Sequence, residues 1–268
     1  MPENTAFGLL LALLAGLSTG IGSAIAYFIR KPRPSHMALI LGFSAGVMLY
    51  VSFAELLRAA LDNVGLARAN IGFFGGIIFI ALLDIIVPHE YKQEHVEDTH
   101  PTYVHHEEEA KGKRGQPARL RRAGMLIALG IAIHNFPEGL VVFSGGVTGD
   151  TTFGILVATA IALHNIPEGI SVSIPIAEAT GNRNKAFLYS FAAGLAEPVG
   201  ALLGLVILFN FLTPPVIYSL MAFAAGVMVY ISLDELLPTA HQYGKEHVVI
   251  IGVVSGMLVM AASVLLLR

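Results

Sequence analysis

No cysteine occurs anywhere in the chain. Thiolate ligation and disulfides are thereby excluded, and the redox compartment cannot be read from the sequence. Charge is scarce as well: Asp, Glu, Lys and Arg make up 13% of the 268 residues, about half the usual share. No phosphate-cradling loop of the GxxxxGK(S/T) type is present, which excludes transport driven by the chain's own ATP hydrolysis. The zincin motif HExxH is also missing, because Gln93 stands where His89-Glu90 would need the second histidine. The first apolar run, about Ala6–Ile29, lacks a basic start, is too long for a cleaved signal peptide, and is followed by Arg30, Lys31 and Arg33.

What is present is apolar. Hydrophobic residues reach 55% and the mean hydropathy is +0.71, which no ordinary soluble domain shows. The expected fold is an all-α integral membrane protein, residues 1–268 forming one polytopic domain with eight transmembrane helices. Their expected extents are Ala6–Ile29, Met37–Ala60, Ala69–Val87, Leu120–Phe143, Thr152–Ile176, Lys185–Phe209, Pro215–Leu237 and Val248–Leu267. Glycine pairs at helical spacing, such as Gly16/Gly20 and Gly42/Gly46, suit close helix packing. Loops after odd-numbered spans hold thirteen Lys and Arg residues, and the opposite side holds only Arg58, Arg68 and Arg268. By the positive-inside rule, both termini face away from the cytoplasm.

Two near-copies of one hexapeptide interrupt this apolar background: His134-Asn135-Phe136-Pro137-Glu138-Gly139 and His164-Asn165-Ile166-Pro167-Glu168-Gly169. In a helix, His and Glu at i and i+4 stand one above the other, with Asn three residues before the same Glu. Each copy thus offers an imidazole, an amide oxygen and a carboxylate over about one turn. Such a cluster is costly in hydrocarbon unless something compensates it, and a divalent cation is the simplest compensation. Pro137 and Pro167 also free the carbonyls of Ile133 and Leu163. A lone intramembrane histidine is often only a helix-to-helix hydrogen bond, and a lone proline only a kink. Two copies at matching depth in successive spans point instead to a metal site.

A longer repeat frames the pair. Gly42–Leu57 matches Ala222–Leu237 at ten of sixteen positions, including Met-x-Tyr-x-Ser-x-x-Glu. The copies fall in spans that run in opposite directions. The expected arrangement is therefore three helices, a central pair and three helices (3+2+3), an inverted repeat of the kind that places a ligand at the midplane of transporters. Glu197, followed by Pro198 in the sixth span, joins the candidate ligands. Met48 and Met228 lie at midplane depth, either as thioether ligands or, more commonly for Met, as core filler. Glu55 at one mouth and Asp234 and Glu235 at the other read as pathway carboxylates or as helix ends meeting water. Residues 89–119, with His89, His95, His100, His105, His106 and many acids, read as a cytoplasmic metal-capturing loop or as an ordinary linker.

With these motifs in view, the chain resembles the ZIP (Zrt-, Irt-like) metal transporters, in particular their bacterial GufA/ZupT-like branch, over essentially its whole length. The resemblance implies residence in a bacterial plasma (inner) membrane and uptake of Zn²⁺, with Fe²⁺, Mn²⁺ or Cd²⁺ as further cargo. It also implies a binuclear midplane site. The first metal would be held by His134, Glu138, His164 and Glu168, with Met48 alongside. The second would be held by Asn135, Glu138, Asn165, Glu168 and Glu197, so that Glu138 and Glu168 bridge. Imidazole with carboxylate suits Zn²⁺ and tolerates Fe²⁺ and Mn²⁺, whereas Ca²⁺ and Mg²⁺ prefer all-oxygen cages. The expected partners are divalent metal ions and the lipid bilayer, with a homodimer admitted and no nucleic acid. Two alternatives stay open at this point: an intramembrane zinc-dependent hydrolase using metal-activated water, and a passive metal sensor or structural membrane protein.

Overall fold

The computed structural model describes residues 4–29, 33–86, 132, 135–208, 213–243 and 246–267. Every element among them is helical: α1 (Thr5–Phe28), α2 (Pro34–Val51), α3 (Arg58–Ile86), α4 (135–147), α5 (Thr151–Thr180), α6 (Arg183–Gly194), α7 (Ala196–Leu208), α8 (Pro214–Ile231), α9 (Leu237–Tyr243) and α10 (Glu246–Leu267). The first half of the expected fourth span, the 89–119 loop and His134 lie outside the described residues.

Among the described residues, six stretches are long and apolar enough to cross a membrane, and one of them, Pro34–Leu83, runs for 50 residues. At 1.5 Å per residue that is about 75 Å, far more than a hydrocarbon core of about 30 Å. Gly65 divides it, with φ 77° and ψ 168°, a backbone state open to glycine and strained for other residues. The turn is tighter than the eight-residue gap expected between spans two and three.

Local chemistry sets the ends of the helices. Pro34 and Pro214 open α2 and α8, where the missing N–H costs no hydrogen bond. Asp150 and Asn182 cap α5 and α6, accepting from the backbone N–H of Phe153 at 3.0 Å and of Lys185 at 3.1 Å. Gly181, with φ 62°, ends α5 in the left-handed conformation.

Two departures from α-helix fall inside the long repeat. Residues Ser52–Leu57 and Ser232–Leu236 are π-helical, each beginning at the serine of the Met-x-Tyr-x-Ser-x-x-Glu pattern. A π-turn widens the helix by one residue and often marks a functional position.

Glycines let the helices approach at backbone distance. On α2, a Cβ at Gly46 would strike the Val253 carbonyl of α10, and one at Gly256 would strike the Phe43 carbonyl. The same contacts recur between α8 and α3. There Gly226 faces the Phe73 carbonyl and Gly76 faces the Phe223 carbonyl. All four pairs map onto one another at a constant offset along the chain. α1 and α6 cross where Gly16 meets the carbonyl of Gly194 and Gly194 meets the carbonyl of Gly16.

The outward faces are apolar. Ile71, Phe74, Ile78 and Leu82 of α3, and Ile250, Ile251, Val254 and Leu258 of α10, are all exposed. In water such stripes would be a liability; against lipid tails they are what a spanning helix requires.

Candidate metal centre

The two hexapeptides meet at the centre of the bundle. Glu138 comes from α4, while His164 and Glu168 come from α5. One ligand atom from each lies within 4.8 Å of the other two, and all three residues are buried. His164 Nε2 stands 3.3 Å from Glu138 Oε2, and its Nδ1 is 3.2 Å from the Ala160 carbonyl. The ring is thereby held with Nε2 toward the carboxylates. Behind it, the Ser44 hydroxyl of α2 donates to the His164 carbonyl at 3.3 Å. That tie anchors α5 close to the proline break at Pro167, whose ring leaves the Leu163 carbonyl without its helical donor.

The asparagines do two jobs at once. Asn165 Nδ2 donates to the Ala15 carbonyl of α1 at 3.0 Å and also to Glu197 Oε1 of α7. Asn135 Nδ2 donates to the Ala193 carbonyl of α6 at 3.4 Å. In both residues the amide nitrogen donates to the protein, twice in Asn165 and once in Asn135, and the amide oxygen is left without a partner.

Glu197 is positioned by a helix break. α6 ends at Gly194 and α7 begins at Ala196. Pro198 cannot return a hydrogen bond to the Gly194 carbonyl, and a one-residue turn at Leu195 separates the two helices. Together they form one membrane-length stretch, Arg183–Val206, as expected for the sixth span, with Glu197 in the first turn of its second part. A Cβ at Gly139 would collide with the Glu197 backbone, so α4 and α7 touch directly at the glutamate.

Among the described residues, Asn135 Oδ1, Glu138 Oε1, Asn165 Oδ1 and Glu197 Oε2 are buried without a hydrogen-bond partner. Each unsatisfied buried acceptor costs about 1–3 kcal/mol, and more when charged. Four of them beside an imidazole make an oxygen-rich cluster of the kind that could hold a cation.

The structure brings Asn135, Glu138, His164, Asn165, Glu168 and Glu197 together, while His134 lies outside the described residues. Met48 is on α2, one turn beyond Ser44, and is buried in the main apolar cluster together with Met228. Glu55 sits away from the centre. It is buried in the π-turn and borders a cavity of about 270 Å³, lined also by Arg58, Asp62, Thr148, Asp150 and Tyr218. Two residues that the sequence reading passed over are Ser44 and Thr19. Both are small hydroxyl residues within apolar runs, and a serine or threonine there is ordinarily satisfied by its own helix.

A bundle of membrane-length helices enclosing a buried His, Glu and Asn cluster defines the class: an integral membrane protein with a candidate metal centre at its core. Comparison with known proteins then gives the family. The model of the family described as ZIP zinc transporter matches residues 84–263. The chain is 51% identical to the zinc transporter ZupT of Nitratidesulfovibrio vulgaris, over 97% of this chain and 96% of that one. It is 52% identical to ZupT of Chlorobium phaeovibrioides, covering 97% of each. It is 46% identical to ZupT of Clostridium perfringens, covering 98% of this chain and 97% of the relative. The chain belongs to the ZIP family of zinc transporters.

Proposed function

We propose that this protein carries Zn²⁺ across the bacterial plasma membrane into the cytoplasm, through a binuclear site at the bilayer midplane. The observation that carries the reading is the meeting of Glu138, His164 and Glu168 within 4.8 Å at the buried centre, ringed by partnerless carboxylate and amide oxygens. On insertion scales, one charged side chain at mid-membrane costs about 3 kcal/mol. Three glutamates held there need positive charge opposite them, and a divalent ion supplies it. His134, Glu138, His164 and Glu168 would hold the first ion, with Met48 near it. Asn135, Glu138, Asn165, Glu168 and Glu197 would hold the second.

The ligand set argues for cargo rather than a permanent cofactor. Neutral amide oxygens and shared carboxylates bind an ion less tightly than the closed tetrahedral sites of structural zinc. Imidazoles among carboxylate and amide oxygens also leave Fe²⁺, Mn²⁺ and Cd²⁺ as further cargo, by donor type alone. The hydrolase alternative loses ground, because the relatives are transporters.

The eight spans are arranged as 3+2+3 about a pseudo-two-fold axis in the membrane plane. Support comes from the matched glycine contacts of α2 with α10 and of α8 with α3, and from the paired π-turns. Both termini lie outside the cytoplasm, on the strength of the charge asymmetry. The cavity beside Glu55 is then on the outer side, where incoming ions are first drawn in.

The test is labelled Zn²⁺ flux into vesicles containing the purified protein, with competing metals outside. Saturable uptake, inhibited by Cd²⁺ and not by a large excess of Ca²⁺ or Mg²⁺, is expected. Absence of protein-dependent flux, or release of a hydrolysis product instead, would overturn the reading.

A further inference from the structure

The two halves of the centre are related position by position, and their chemistry differs most at the pair Thr19 and Glu197. Gly16 and Gly194 touch each other's carbonyls, which places the pseudo-symmetry axis at that crossing. Working outward from it, Ala15 corresponds to Ala193: each carbonyl accepts the amide of a hexapeptide asparagine, Asn165 for one and Asn135 for the other. Gly22 corresponds to Gly200, which face the carbonyls of Ile166 and Phe136, the third residues of the two hexapeptides. Between these pairs, Thr19 corresponds to Glu197. The carbonyl of Thr19 faces Gly169, and that of Glu197 faces Gly139.

Where one half presents a carboxylate, the other therefore presents a hydroxyl. Thr19 is fully buried, and its Oγ1 has no hydrogen-bond partner. Its counterpart Glu197 accepts from Asn165. The equivalent asparagine on the Thr19 side, Asn135, donates to the Ala193 carbonyl and makes no matching bond to Thr19, whose Oγ1 is partnerless. Threonine is two atoms too short to span the distance that glutamate spans. Neighbouring positions repeat the contrast. Ser23 and Ser190 hydrogen-bond at 2.6 Å beyond Thr19, and their counterparts beyond Glu197, Ala201 and Ala12, are buried alanines.

We propose that Thr19 is a specificity-determining residue of the centre: its hydroxyl replaces, on one side of the axis, the carboxylate that Glu197 supplies on the other, and so sets how readily the ion leaves. The inference rests on the midplane transport site and on the orientation given above. α1 and α6 cross antiparallel, Gly20 of α1 lying against Phe191 of α6. Thr19 and Glu197 therefore lie on opposite sides of the crossing, Thr19 toward the cytoplasm and Glu197 toward the outside. An ion arriving from outside meets the full negative charge first. It then passes to a side where a neutral oxygen holds it more weakly. A symmetric centre with two such carboxylates would bind more tightly and release more slowly.

Three variants test this, each measured by equilibrium Zn²⁺ binding in detergent and by labelled Zn²⁺ flux in vesicles. Thr19→Asp restores the missing charge at nearly the same volume. It is expected to tighten Zn²⁺ binding at least tenfold and to lower maximal flux at least tenfold. Thr19→Val keeps the shape and removes the hydroxyl, and is expected to lower maximal flux at least threefold. Thr19→Ser keeps the hydroxyl and should stay within twofold of the unaltered protein. Wild-type binding and flux in Thr19→Asp or in Thr19→Val overturns the proposal. So does equal impairment of Thr19→Val and Thr19→Ser, which would mark a packing role only. If Thr19→Asp does not fold, the Val and Ser pair decides. Glu138→Ala, run alongside, separates the two readings. Loss of flux there with unaffected Thr19 variants sinks this inference alone, whereas full flux in Glu138→Ala sinks the transport site itself.

Discussion

His164 and Glu138, contributed by two different helices, stand 3.3 Å apart with both side chains buried. The pair ties the second hexapeptide to the first, and it makes the roles of imidazole and carboxylate separable by mutation. His164→Ala removes the nitrogen donor and keeps the oxygens. We predict that it raises the half-saturating Zn²⁺ concentration about tenfold or more while affecting Mn²⁺ less, since Mn²⁺ accepts oxygen donors readily. Glu168→Ala removes a carboxylate proposed to be shared by both ions and should bring uptake of every metal to background. Parallel uptake curves for Zn²⁺ and Mn²⁺ check this, and an equal loss for both metals in His164→Ala would contradict the assignment.

Zinc should also stabilise the fold. A ligand that binds only the folded state at a hundred times its dissociation constant contributes about 2.7 kcal/mol. The melting temperature in detergent is expected to rise when Zn²⁺ is added and to fall with a chelator. In Glu138→Ala it should respond to neither.

Helix packing gives a test independent of metal. A Cβ at Gly76 would run into the Phe223 carbonyl, whereas one at Gly75 meets nothing within 4 Å. Gly76→Ala should therefore destabilise by about 1–3 kcal/mol through overpacking. Gly75→Ala should be neutral or stabilising by about 0.5–1 kcal/mol, from the gain in helix propensity. Thermal midpoints of the two proteins decide it.

Much of this was legible in the sequence, and the reasons are physical. A span must be long and apolar, so composition alone marks it. A polar hexapeptide inside such a run is costly, so its presence marks a site. Other features depend on distant partners. The π-turns at Ser52 and Ser232 carry no glycine or proline to announce them and are seen only in the folded helices. The sixth span was legible as one membrane-length stretch, and the one-residue turn at Leu195 within it was signalled only by Pro198. Gly65 turns the chain more tightly than the polar stretch around it suggested. Thr19 matches Glu197 in the short repeat Ala15-Gly16-Leu17 to Gly22 against Ala193-Gly194-Leu195 to Gly200, but a lone threonine in an apolar run gives no signal until the folded contacts pair the two helices.

The mouths of the pathway can be probed separately. Glu55 and Glu235 occupy matching positions in the two π-turns, and Glu55 borders a cavity that the proposed orientation puts on the outer side. A carboxylate at a low-dielectric mouth concentrates cations. Glu55→Gln should chiefly raise the half-saturating concentration of external zinc, and Glu235→Gln should chiefly lower maximal flux. Identical defects in the two, at matched surface expression, would defeat the assignment of outer and inner mouths.

The central claim is that zinc crosses the membrane through the carboxylate-bridged centre. Its most direct test is the initial rate of labelled Zn²⁺ entering vesicles that hold equal amounts of the purified protein and of folded Glu138→Ala. The account predicts saturable uptake by the first and a rate indistinguishable from empty vesicles for the second. Equal uptake by both would contradict it.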